Sequence, residues 1–178
     1  MKLEESNLLR GLKNRVLQHI ARFIPGSDVR VWLHRARGVR IGKGVWIGYD
    51  VVLETARPEL ITIGDGVSIS MRVTVIAHFK ESEGVKIEQD AFLGPGVIVL
   101  PGVVVGRGAV VTAGSVANSS IPPMTVVQGN PAIPIAKCGI PLLEKVSFLE
   151  FSGRLKPLSS KIRDGAGAHE RTSDVDRR

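Results

Sequence analysis

Few side chains in this 178-residue chain can move a proton at neutral pH. Of its four histidines, His19 lies in a basic N-terminal segment and His169 in a polar C-terminal tail. His34 and His78 remain in the body of the sequence, and His78 directly follows the apolar run Val75-Ile76-Ala77. An imidazole there can be held by a rigid strand while facing a cleft. Imidazole is also the side chain best matched to general-base work near neutral pH. Glu54 and Glu81 are the carboxylates closest to where His78 should stand. Cys138 is the sole cysteine, which excludes an internal disulfide framework and a cysteine-cluster zinc site.

What positions these residues is a repeat. From Val39 onward small aliphatic residues return every six positions: Ile41, Ile47, Leu53; then Ile63, Ile69, Val75; then Ile87, Leu93, Val99; then Val105, Val111, Ala117. A small residue follows four positions after most of them, as at Val45, Val67, Ala91, Ala109 and Ser115. Glycine often comes directly after the aliphatic, so the unit reads aliphatic-Gly-x-x-small-x, with the glycine expected to serve a tight turn. Such hexads predict an all-β, left-handed parallel β-helix over about residues 39–136. Three hexads form one 18-residue triangular coil, and stacked coils share a continuous core. The aliphatic points inward and the small residue fits the corner.

Two coils carry insertions. The step from Ile41 to Ile63 is 22 residues, an 18-residue coil plus four near 55–59. The step from Ile63 to Ile87 is 24, a coil plus six near 78–84. Both fall at the end of the third side, so they should project one above the other from a single corner. Stacked loops on a rigid prism are where function is expected. The first places Glu54 beside His78, and the second contains Glu81.

The expected organisation is an N-terminal amphipathic helix (1–26), the β-helix domain (27–136), a C-terminal extension (137–163) and a disordered tail (164–178). Residues 2–24 carry Leu8, Leu9, Leu12, Val16, Ile20, Phe23 and Ile24 at helical spacing, ended by Pro25-Gly26. This helix either caps an open end of the prism or meets an anionic membrane. Trp32, Leu33, His34 and Val39 are expected in an irregular first coil, and residues 142–151 in a short helix. The net charge of +7 is mostly N-terminal: residues 1–40 hold 9 basic and 3 acidic residues. No nucleic-acid motif accompanies that charge. No stretch approaches the roughly 20 apolar residues of a membrane span, and no secretory pattern is visible, so a cytoplasmic setting is expected.

Two stretches resemble the hexapeptide-repeat O-acetyltransferases, with the sugar, maltose, nodulation-factor and exopolysaccharide enzymes as the closest group. One is residues 61–78, ending in His78. The other is residues 87–132, with Leu93-Gly94, Leu100-Pro101-Gly102, Gly114-Ser115-Val116, Ile121-Pro122 and Gly129-Asn130-Pro131-Ala132. The resemblance implies a homotrimer that moves an acetyl group from acetyl-CoA to a hydroxyl by direct attack. His78 would be the general base, and the oxyanion would be held by hydrogen-bond donors. It implies a CoA groove along the C-terminal coils, between subunits, walled by Gly94, Gly96, Ala113, Gly114 and Ser115. Pro131 and Pro122 would border the nucleotide end, and Lys137 or Arg107 would meet phosphate. No metal is implied. Where such enzymes often carry His-Asp, this chain has His78-Phe79, so the orienting carboxylate must come from elsewhere. Glu54 is the preferred candidate. Where they often carry a lysine before Ile-Pro, this chain has Ser119, and a hydrophobic Phe92 stands in place of tryptophan.

Two other readings use the same fold. A γ-type carbonic anhydrase needs three histidine ligands, and only His34 and His78 lie near the prism. A catalytically degenerate scaffold or assembly protein would tolerate Phe79 and Ser119. The acceptor cannot be named from the loops, and an amine is open to the same chemistry as a hydroxyl.

Overall fold

The computed structural model describes residues 2–79, 82–142 and 147–158. Two helices, α1 (Lys2–Phe23) and α2 (Ser27–Arg37), precede a left-handed parallel β-helix with three flat faces. The first face stacks Arg40–Ile41, Ile61–Ile63, Val85–Ile87 and Val104–Val105. The second stacks Trp46–Ile47, Ser68–Ile69, Phe92–Leu93, Val110–Val111 and Thr125–Gln128. The third stacks Val52–Leu53, Thr74–Val75, Ile98–Val99 and Val116–Ala117. Ile41 pairs with Ile63, Ile63 with Ile87, and Ile87 with Val105, which is the register read from the hexads.

The inward aliphatics form one continuous core, with Ile47, Leu53, Ile69, Ile87, Leu93 and Val99 fully buried. Each coil's N–H groups donate to carbonyls of the next, as in Trp46 N to Val67 O at 2.9 Å and Phe92 N to Ala109 O at 2.9 Å. The glycine after each aliphatic has a different purpose from the turn expected of it. A Cβ on Gly94 would lie 2.7 Å from the Ala113 nitrogen in the coil above, so that position must stay bare for the coils to stack. The turn itself falls two residues later, where Gly96 has φ 70°. That corner is built alike at other levels, by Asp50, Arg72 and Gly114 with φ 56°, 60° and 69°.

Both insertions connect the third face to the first. The lower one includes a single 3-10 turn, Pro58–Leu60, and the upper one a short hairpin in which His78–Phe79 pairs with Ser82–Glu83. They stack at one corner, as expected. Glu81 lies outside the described residues.

The helix layer departs from the reading at Trp32, Leu33 and His34. These residues lie in α2, not in an irregular coil, and the prism starts only at Arg40. Asp28 in the first turn and Arg35 and Arg37 in the last complement the helix dipole, and Gly38 closes the end with φ 111°. Beyond the prism, Ile133–Lys137 pairs antiparallel with Thr125–Gln128, and Lys156–Pro157 adds a further strand. The short helix α3 (Phe148–Gly153) starts with the Ser147 hydroxyl accepting from Glu150 N at 3.1 Å. This extension seals a second small apolar cluster, Val110, Val126, Ala136 and Phe151, against which Phe92 packs. The tail 164–178 expected to be disordered lies outside the described residues.

Candidate functional site

At the corner of the two insertions Glu54 and His78 meet. His78 Nδ1 lies 2.8 Å from Glu54 Oε2. Glu54 leaves the third face one residue after Leu53, and His78 leaves it three residues after Val75, the strand partner of Leu53. Glu54 is 7% exposed, and its carboxylate also accepts from Ala77 N at 3.1 Å and Ala56 N at 2.9 Å. Burial pushes the Glu54 carboxyl upward. The bonds from Ala77, His78 and Ala56 outweigh that and hold it below the usual carboxylate range. An ionised carboxylate can only accept, so His78 Nδ1 must be the donor. The ring's lone pair then sits on Nε2. The side chain is 42% exposed, so that nitrogen can be reached by a substrate.

Behind the pair is a residue that sequence reasoning missed. Arg37 Nη2 donates to the Leu53 and Glu54 carbonyls at 2.9 and 2.7 Å, and Nη1 contacts Gln18 Oε1 and lies 2.9 Å from His34 Nδ1. Burial lowers the Arg37 pKa to about 10, opposed by the Glu54 charge. Arg37 remains a cation at neutral pH. His34 is fully buried, and burial, then the charges of Arg37 and Arg30, bring it to about 3. It is therefore neutral and accepts from Arg37. Nothing in the residue types marks Arg37 for this position; it looks like one more surface cation in a basic helix.

The residues proposed to wall a cofactor lie at a different corner, between the second and third faces. Gly94 and Ala113 stack there, as do Gly96 and Gly114, with Gly114 N donating to Pro95 O at 2.8 Å. Ala113 and Gly114 are exposed, and with no large side chains they leave a strip of backbone open to a ligand. Ser115 is fully buried instead, bonded to Thr112 Oγ1 and to Gly129 N at 3.0 Å each. Its role in the structure is to tie the 129–132 turn to the prism. Pro131 is exposed in that turn, at the upper end of the same corner. Lys137 is not at this corner. Its Nζ donates to Thr125 Oγ1 at 2.6 Å at the start of the second face, where Arg107 also stands. A shallow depression of about 300 Å³ lies at that remaining corner, lined by Lys86, Gln89 and Arg107 among others. Among the described residues no group of three His, Cys, Asp or Glu could hold a metal ion.

Residues 84–119 match the family described as bacterial transferase hexapeptide (six repeats). Staphylococcus aureus proteins each named "Putative acetyltransferase" are 33% identical over 67 residues, which is 37% of this chain and 42% of theirs. The matched segment thus spans less than half the length of these relatives. The hexapeptide-repeat containing acetyltransferase of Vibrio cholerae superposes with a TM-score of 0.63 at 24% identity, over 74% of this chain and 92% of that one. Its acetyl-CoA complex gives 0.55 at 22%, over 72% and 87%. A galactoside acetyltransferase in complex with coenzyme A gives 0.56 at 19%, over 75% and 82%. At these identities the superpositions establish the fold, a left-handed β-helix of hexapeptide repeats.

Proposed function

We propose that the chain is a CoA-dependent acyltransferase that moves an acetyl group from acetyl-CoA to a hydroxyl of a sugar or glycan-type acceptor. The observation that carries this reading is the Glu54–His78 pair: a buried carboxylate fixes Nδ1–H and leaves Nε2 as an accessible base. In the reaction Nε2 takes the acceptor's hydroxyl proton while the oxygen attacks the thioester carbonyl carbon. The tetrahedral species collapses, the carbon–sulfur bond breaks, and the departing thiolate takes the proton from Nε2 to leave as free CoA. Glu54 stabilises the transient imidazolium and is a positioning residue. No covalent enzyme intermediate forms.

The bare strip at Gly96, Ala113 and Gly114, bordered by Pro131, suits the close approach of an extended pantetheine to backbone amides, with Gly94 buried beneath it. Within one chain that strip and His78 occupy different corners, separated by the third face. A site assembled between neighbouring prisms of a homotrimer brings two such corners together. Lys137 stands across the second face from the strip, so any phosphate it holds belongs to a part of the cofactor beyond the pantetheine. The sugar-type acceptor is supported by the resemblance of residues 61–78 and 87–132.

The test is thiol release from acetyl-CoA against a panel of sugars and nucleotide sugars. His78→Ala should cost on the order of 10²–10⁴-fold in turnover. Unchanged turnover in that variant removes His78 from the chemistry. Failure of the wild type to bind acetyl-CoA by calorimetry favours a scaffold instead.

A further inference from the structure

Helix α1 lies on the prism with its polar side inward. Asn14, Gln18 and Ala21 are buried, and Gln18 Nε2 donates to Val51 O at 2.9 Å. Arg22 pairs with Asp50 at 2.7 Å, and Arg10 Nη2 lies 3.0 Å from Glu59 Oε2. At about 100° per residue, Leu9, Leu12, Val16, Ile20 and Phe23 fall on the opposite side. They are between 41% and 68% exposed. The apolar stripe that would ordinarily mark a packed face therefore points away from the protein. Trp32 on α2 is also exposed.

The charge beside the stripe has one sign. From Leu9 to Phe23 the helix contains no acidic residue, its two glutamates, Glu4 and Glu5, preceding the stripe. Lys13 and Arg15 are exposed, flank the stripe on its two sides and have no ion-pair partner among the described residues. No described helix is long and apolar enough to cross a membrane. An apolar stripe with a cationic rim, on a helix already fixed to a folded body, has the form of an in-plane bilayer anchor.

We propose that the outward face of α1 seats on an anionic lipid bilayer, with Leu12, Val16, Ile20 and Phe23 entering the interface and Lys13 and Arg15 meeting lipid phosphates. The ion pair between Arg10 and Glu59 ties α1 to the lower insertion, so the helix in contact with lipid runs beside the Glu54–His78 corner. The inference does not depend on acyl transfer.

The test is co-sedimentation of the full chain with vesicles of phosphatidylcholine alone or mixed with phosphatidylglycerol. Binding is expected to the mixed vesicles, to weaken with added salt, and to be lost in Leu12→Asp/Val16→Asp. Both sites are exposed, so the thermal midpoint of that variant should stay within about 2 °C of wild type. Lys13→Glu/Arg15→Glu should reduce binding to mixed vesicles by tenfold or more, at roughly 1 kcal/mol per surface cation. Wild type that ignores the mixed vesicles at low salt overturns the proposal, as does undiminished binding by the aspartate variant. It is also overturned if the aspartate variant changes the oligomer's mass in sedimentation equilibrium, which would make the stripe an interface between copies.

Discussion

The core of the prism is buried by aliphatic contacts, and the helix layer adds polar ones. Inside the prism, aliphatic side chains meet aliphatic side chains at every level. Between the helices and the first coil Val31 joins that core, but the buried side chains that reach the coil's backbone are polar: Gln18, Arg30 and Arg37. The reason lies in the direction of the ladder. Each coil donates N–H groups upward and accepts from the coil below, so the first coil has carbonyls with no coil beneath them. Arg30 Nε supplies Ile47 O at 2.7 Å, Gln18 supplies Val51 O, and Arg37 supplies Leu53 and Glu54 O. Leucine could cover these carbonyls but could not satisfy them, and a buried carbonyl without a donor is costly. The open end of a solenoid thus recruits the polar side of an amphipathic helix.

The sharpest way to test that contrast is to damage each region in its own terms. Leu93→Ala, in the middle of the prism between Ile69 and Val111, should cost about 2–5 kcal/mol by chemical denaturation, through lost burial and a cavity. Arg37→Met keeps much of the volume but removes the donors to two carbonyls. It should cost roughly 2–3 kcal/mol and also lower turnover, by loosening the chain that carries Glu54. A loss below about 0.5 kcal/mol would mean the end coil is satisfied some other way.

The smallest effect concerns pH. His34 is neutral when folded, with a pKa lowered to about 3, and near 6.5 when unfolded. Between those values the unfolded state binds the extra proton, so stability should fall as pH drops below 6.5, by about 1 kcal/mol per unit. Glu54, held below the usual carboxylate range, adds loss in the same direction only at lower pH, beneath its ordinary value of 4.5. Denaturation midpoints between pH 6 and 5 therefore isolate the histidine contribution, and His34→Gln should flatten the slope. An equal slope in that variant would place the proton uptake elsewhere.

Much of the molecule was legible before any coordinates. The hexads predicted which residues point inward, where the strands pair, and that both insertions leave one corner. Because strand side chains alternate and coils repeat, one phase error would have turned every aliphatic outward. The insertions bring Glu54 close to His78 but leave Glu81 as an alternative, and the 2.8 Å contact with Glu54 follows from the stacking of Leu53 on Val75. Ser115 and Lys137 show the limit of motif matching. The motif places Ser115 in the right turn but cannot say that its hydroxyl is consumed inside the protein. Nor does it say that Lys137 emerges at another corner.

The sequence by itself determined the parts of this protein whose geometry is periodic: the prism, its register, the corner loops and the nearness of Glu54 to His78. Only the tertiary structure decided which side of α1 faces inward and what Arg37 does. Periodicity identifies an amphipathic helix but not its orientation, because that depends on what it is laid against. Here the surface offered was a row of unpaired carbonyls, and hydrogen-bond demand outweighed apolar burial.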